Sequence, residues 1–210
     1  MAKKKKKSNA AGLALFIIVM LIIAFGAWLI FREPDTENKS RSFFGYPTKY
    51  EEYVIKYSNE YEIDPRYIFA IIYTESHFNA NAESDVGARG LMQIMPDAFD
   101  WIKFRLSDER EITFDDMYTP EYNIQYGTYM LSYLYEQFGT YELAAGAYHQ
   151  GMNAVQSWID DGTIDPEHFS VDENLSDMPS ELTQDYIKKV MKAFDKYKDN
   201  SELEQDIKDY

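Results

Sequence analysis

Apolar residues along this chain recur mostly at helical spacing. Tyr50, Tyr53, Val54 and Tyr57 stand at i, i+3, i+4 and i+7, the stripe of a helix that buries one face. The next stripe is Ile68, Ile71 and Ile72. It is opened by Asp64, a good N-cap, and by Pro65, whose missing N–H costs nothing in a first helical turn. Pro96 to Phe104 predicts a third helix, with Ala98, Phe99, Trp101 and Ile102 apolar. Thr119 and Pro120 mark the start of a long fourth, whose stripe of Ile124, Gly127, Leu131, Leu134 and Phe138 stops at Gly139. Tyr141 to Tyr148, close-packed through Ala144, Ala145, Gly146 and Ala147, is a fifth. Gln184 to Tyr197 is the last, with Ile187, Val190, Met191 and Phe194 inward. Little β pattern is visible anywhere, and no internal repeat appears. The expected fold class is therefore mainly α, with one domain over residues 48–197.

Between the helices, residues 105–117 are charged and read as a loop, and 159–180 read as an extra surface loop. Residues 198–210 are polar and read as a frayed tail.

The N-terminus follows a different pattern. Residues 10–31 are uncharged. Roughly 20 helical residues span a bilayer core, whereas the apolar region of a signal peptide is about 7–15 residues long. Ala24 and Gly26 would fit a small-x-small cleavage site, but the length of the stretch favours an uncleaved transmembrane anchor. Residues 1–9 carry Lys3 to Lys7, and no such cluster follows the span, which places the N-terminus in the cytoplasm. Residues 32–47 then read as a polar linker, and the domain is expected outside the cell membrane, facing the wall. There is no cysteine, hence no lipid-modified Cys and no disulfide.

The formal net charge is −15, although the only charges before Arg32 are the five lysines. Phosphate binding needs clustered Lys and Arg, so nucleic acid is excluded as a partner. The pairs Asp108-Glu109, Asp115-Asp116 and Asp160-Asp161 read as solvated surface. His77, His149 and His168 lack the spacing of metal ligands, and no phosphate-cradling glycine motif is present, so neither metal nor cofactor is expected.

Candidate chemistry centres on Glu75. It occupies the i+7 position of the Ile68 stripe, which puts a carboxyl on the inward face near a helix C-terminus. Desolvation and the negative helix end both favour its protonated form, as a general acid requires. A glycine-rich run follows, Val86-Gly-Ala-Arg-Gly90-Leu-Met-Gln93-Ile-Met-Pro96, in which Gly87 and Gly90 permit tight turns and close approach to a ligand. Glycosidic cleavage usually needs two carboxyl groups. Only Glu75 has a buried address; Glu83 and Asp85 stand nearby in the loop.

Glu75-Ser76, Gly90-Leu-Met-Gln-Ile-Met-Pro96, Ala147-Tyr148 with Gly151, and Thr183 with Tyr186 together resemble the family-1 lytic transglycosylases of bacterial cell walls. The resemblance implies a soluble-lytic-transglycosylase, lysozyme-like fold. It also implies cleavage between N-acetylmuramic acid and N-acetylglucosamine of peptidoglycan without water, leaving 1,6-anhydro ends. Glu75 would be the single general acid and base. Ser76 would orient the acid or touch sugar, Gln93 and Tyr148 would line the cleft, and Tyr186 would hydrogen-bond Glu75. The family's Ala-Tyr-Asn-Ala-Gly motif is here Ala147-Tyr148-His149-Gln150-Gly151, so His149 must replace the Asn. Two alternatives stand beside this reading. One is a hydrolytic muramidase using water held by Glu83 or Asp85, and the other a non-catalytic glycan-binding module of an envelope assembly. The sequence names no protein partner.

Overall fold

The computed structural model describes residues 46–201, together with Ser42, Phe43, Leu203, Glu204 and Ile207. The expected basic N-terminus and membrane span lie outside these residues. No helix among the described residues is long and apolar enough to cross a membrane.

Among the described residues seven helices account for most of the fold: α1 (Glu51–Glu60), α2 (Pro65–Ser76), α3 (Pro96–Arg105), α4 (Pro120–Phe138), α5 (Tyr141–Gln150), α6 (Met152–Asp160) and α7 (Glu181–Lys198). Two 3-10 turns, Phe114–Tyr118 and Leu175–Asp177, and an antiparallel pair, β1 (Ser42–Phe43) with β2 (Tyr46–Pro47), accompany them. The mainly α expectation therefore stands.

Helix α2 is the centre. Its start is as expected, with the Asp64 side chain accepting from the Arg66 N–H and Pro65 in the first turn. Tyr67 to Ile72 are all buried, because neighbours cover the helix on every side. It packs most extensively against α7, whose Ile187, Val190 and Phe194 face inward, while Met191 is only partly buried. Helix α5 wedges between α4 and α7 through its small residues. At Gly146 an added Cβ would meet Met178 Cε at 3.1 Å and Ile187 Cδ1 at 3.2 Å, a closeness that alanine-sized packing alone could not reach.

Four expectations need correction. Two of the three acidic pairs are more than solvated surface, whereas Asp160 and Asp161 are exposed as read: the Asp108 carboxylate is 6% exposed, paired with Arg110 at 2.5 Å and accepting from Tyr126 at 2.9 Å. Arg110 thereby holds the Asp108 carboxyl well below the usual carboxylate range. Asp115 pairs with Arg89 at 2.6 Å, and Asp116 closes a capping box with Thr113. The 159–180 segment is anchored by burial of Ile164, Phe169, Leu175 and Met178, apolar residues too widely spaced to show a period. The tail is held at least as far as Leu203, which is buried and donates its N–H to Asn200. Finally, Tyr46 and Pro47 of the supposed linker belong to the folded unit. Tyr197 donates a 2.8 Å hydrogen bond to the Pro47 carbonyl, and the Tyr46 ring lies 4.7 Å from that of Tyr73.

Candidate active site

Glu75 sits in the last turn of α2, half-buried, one turn beyond the buried Ile71 and Ile72. Directly after the helix, His77 and Phe78 take successive left-handed conformations (φ 50° and 63°), which swing the chain into the glycine-rich loop. Tyr186 of α7 reaches across and donates to Glu75 Oε1 at 2.6 Å. Loss of water pushes the Glu75 carboxyl from its ordinary 4.5 up to about 7, while the Tyr186 hydrogen bond pulls the other way. Burial, followed by the Glu75 charge, drives the Tyr186 phenol far upward, so it remains a donor. The site thus holds a carboxyl group that exchanges its proton near neutral pH.

Two tyrosines and a histidine border this pair. Tyr148 of α5 donates to the Met92 carbonyl at 2.6 Å, and burial with the nearby Glu75 charge raises its phenol as well. The His149 ring stacks on Tyr186, with centroids 4.6 Å apart and planes inclined by 26°. Its Nδ1 lies 3.2 Å from Thr183 Oγ1. The Thr183 hydroxyl has one proton, and Gln150 Oε1 at 2.8 Å can only accept it. The Thr183 oxygen therefore accepts from His149, and Ser180 Oγ, which accepts the Thr183 N–H, lies 2.9 Å away. This places the imidazole proton on Nδ1 and leaves Nε2 an acceptor. Burial and, after it, the Lys189 charge lower the His149 pKa, so the ring is predominantly neutral at pH 7.

The Ser76 hydroxyl and the Gln93 amide nitrogen are both engaged with loop carbonyls. Ser76 donates to the Leu91 carbonyl at 2.7 Å, tying the end of α2 to the loop. Gln93, itself left-handed at φ 49°, directs both contacts of its amide nitrogen at loop carbonyls, Ala82 at 3.2 Å and Gly90 at 3.0 Å. Its amide oxygen accepts from no group among the described residues. The loop also pairs with itself through the bridges Glu83–Arg89 and Arg89–Ile94.

Sequence reasoning missed the clamp beneath this loop. Asn123 of α4 is fully buried; its oxygen accepts from the Met92 N–H at 2.7 Å, and its nitrogen donates to Arg89 and Met117 carbonyls at 2.9 and 2.8 Å. Gly90 is the counterpart: a Cβ there would stand 2.1 Å from the Met117 oxygen and 2.3 Å from Asn123 Nδ2, and its φ is +77°. The available signal was an amide directly before Ile124 of the apolar stripe. Arg89 was missed too. Its guanidinium lies over Phe114 and Tyr118 and within reach of Glu83 and Asp115. Glu83 is exposed and engaged by Tyr118 at 2.8 Å, and Asp85 is exposed.

Comparison with known proteins follows the same outline. Residues 52–165 match the family model described as the transglycosylase SLT domain. The soluble lytic murein transglycosylase of Salmonella typhimurium is 36% identical over 157 residues, covering 72% of this chain and 23% of that protein. The crystal structure of the 70 kDa soluble lytic transglycosylase of Escherichia coli superposes with a TM-score of 0.67 at 30% identity, covering 73% of this chain and 24% of that one. An inactive mutant of lytic transglycosylase Slt from Pseudomonas aeruginosa, in which a glutamate is replaced by glutamine, superposes with a TM-score of 0.66 at 27% identity over 73% of this chain and 24% of its own. The chain thus spans about a quarter of the length of these relatives. With more than half of its residues inside the family model, and its helices arranged as in the solved structures, the chain belongs to the transglycosylase SLT domain family.

Proposed function

We propose that this protein is a membrane-anchored lytic transglycosylase that cuts the glycan strands of peptidoglycan, with Glu75 as the single acid and base. The observation that carries the reading is the half-buried Glu75 carboxyl, poised near pH 7 and hydrogen-bonded by Tyr186. In the first step the protonated carboxyl gives its proton to the glycosidic oxygen that leaves from C1 of muramic acid. The resulting carboxylate then accepts the proton of the substrate's own C6 hydroxyl as that oxygen bonds to C1, which closes a 1,6-anhydro ring. The glutamate ends protonated, as it began, and no water is consumed. Holding C6 close to C1 replaces the second carboxyl group. Glu83, the candidate for holding a hydrolytic water, is committed to Tyr118 and Arg89 on the exposed rim, which favours the one-carboxylate course.

In this reading Tyr186 sets the proton affinity of Glu75. Tyr148 and Ser76 fix the loop that borders it, and Gln93 Oε1 and His149 Nε2 accept hydrogen bonds from sugar hydroxyls. The uncharged stretch 10–31 behind Lys3–Lys7 anchors the domain on the outer face of the cell membrane, with the N-terminus in the cytoplasm.

A mass spectrum of the products released from purified sacculi tests the proposal. Chain ends lighter by one water than reducing muramic acid are expected. Ends of full mass would establish hydrolysis instead, and intact sacculi would leave a binding module.

A further inference from the structure

Helix α7 carries five lysines, and their partners divide them into two groups. Lys188 pairs with Asp185, Lys196 with Asp199 and Lys198 with Asp195, each three residues away. Lys189 and Lys192 have no carboxylate within ion-pairing distance among the described residues. In a chain of net charge −15, two neighbouring lysines without acids call for an explanation. They are three residues apart, and Tyr186 is three residues before the first. One face of α7 therefore runs from the Glu75 partner to both ammonium groups.

Both lysines line the same hollow of about 290 Å³, whose other walls are Tyr46, Tyr73, Thr74 and His77. Lys189 stands near enough to His149 for its charge to act on that ring, and Thr74 is the residue before Glu75 on α2, so one end of the hollow lies beside the candidate site. Its aromatic wall is built: Tyr46 lies against Tyr73, with ring centroids 4.7 Å apart, and Tyr73 lies against His77 at 4.8 Å. Tyr46 is held in turn by an edge contact with Tyr197. Ligand pockets commonly run from roughly 300 to 1,000 Å³, so this volume suits one side arm of a ligand rather than a run of sugars.

We propose that this hollow is a subsite for a carboxylate carried on a side arm of the glycan substrate, held by Lys189 and Lys192 against the Tyr46 and Tyr73 rings. The inference rests on the glycan-cleaving reading above and adds to it the chemical feature that selects the strand. Two arms of a peptidoglycan strand carry such a group. The lactyl ether of muramic acid ends in a carboxylate when bare, and an attached peptide ends in carboxylates of its own. A neutral N-acetylglucosamine polymer has neither.

The test uses the full chain in detergent, with Glu75→Gln to prevent turnover, and compares it with the same chain carrying Lys189→Gln and Lys192→Gln. Binding is measured to peptide-bearing strands, to strands stripped of peptide by an amidase, and to chito-oligosaccharide. The lysine changes are expected to weaken binding of carboxylate-bearing strands by about threefold to tenfold at low salt, with the gap closing at high salt. Chito-oligosaccharide binding should not change, and the thermal melt should match the parent's. Whichever stripped or peptide-bearing strand suffers the loss identifies the arm. Equal losses for all three glycans, or no loss, overturns the subsite. A parent chain that binds none of the three overturns the glycan reading as well, which separates the two failures.

Discussion

The Tyr186 hydroxyl and the Glu75 carboxyl, 111 residues apart in sequence, meet in a 2.6 Å hydrogen bond across the interface of α2 and α7. The bond opposes the desolvation that holds Glu75 protonated. Removing it by Tyr186→Phe should raise the Glu75 pKa above about 7 and move the alkaline limb of the pH–rate profile upward. The carboxylate needed in the second half-reaction loses its donor, so kcat should fall about tenfold. Initial rates of product release from sacculi between about pH 4 and 9 check both effects. An unmoved limb would mean that another group sets it.

Glu75→Gln should abolish cleavage and keep glycan binding. It also has a signature in stability. Below about pH 4.5 the wild-type carboxyl is protonated in both the folded and unfolded chain. Between that pH and about 7 the unfolded chain releases the proton while the folded one retains it, so stability falls as pH rises. Glutamine cannot ionise. The variant should therefore be more stable than wild type at pH 8, by about 1–3 kcal/mol, with the gap shrinking toward pH 4. Urea titrations at the two pH values measure it.

The loop clamp should be costly to disturb. Gly90→Ala drives a methyl group into the Met117 carbonyl and the Asn123 amide while straining a left-handed residue. Asn123→Leu strands one buried N–H and two carbonyls. Each should lower stability by about 2–4 kcal/mol, read from denaturant midpoints, and lower activity further by loosening the border of Glu75.

His149 offers a pH test on the other side of neutrality. Its pKa is lowered in the fold, so protonation as pH drops through the mid-acid range works against the native state. The stability it contributes is present above its unfolded value of about 6.5 and is lost as pH falls. His149→Asn should therefore make the fold less acid-sensitive between pH 7 and 5. It also loses the stack on Tyr186. Thermal melts across that range compare the two proteins.

The features that were legible in sequence are those fixed by short-range geometry. The Ile68, Ile71, Ile72 stripe placed Glu75, and Asp64-Pro65 started its helix as read. The long helix begins at Pro120 and stops at Gly139, whose φ is +77°, although Thr119 makes no capping bond with its side chain. Properties set by distant partners were hidden. Asp108 looks like any surface acid until Arg110 and Tyr126 close over it. Ser76 and Gln93 are polar groups in a cleft motif, yet their donors go to backbone oxygens that no side-chain pattern reveals. Lys189 and Lys192, without an acid among the described residues, are conspicuous only once the pairing of the other three is known.

The hydrogen bonds that Ser76, Gln93, Asn123 and Tyr148 direct at the glycine-rich loop all end on main-chain atoms. A carbonyl or N–H is the same group whatever residue bears it, so these bonds specify the shape of the loop without specifying most of its composition. Positions on its outer side, such as Asn81, Asp85 and the 73% exposed Val86, are free to drift or to be redesigned. Evolution can therefore reshape what the rim of the cleft presents to a strand while the frame around Glu75 is inherited intact.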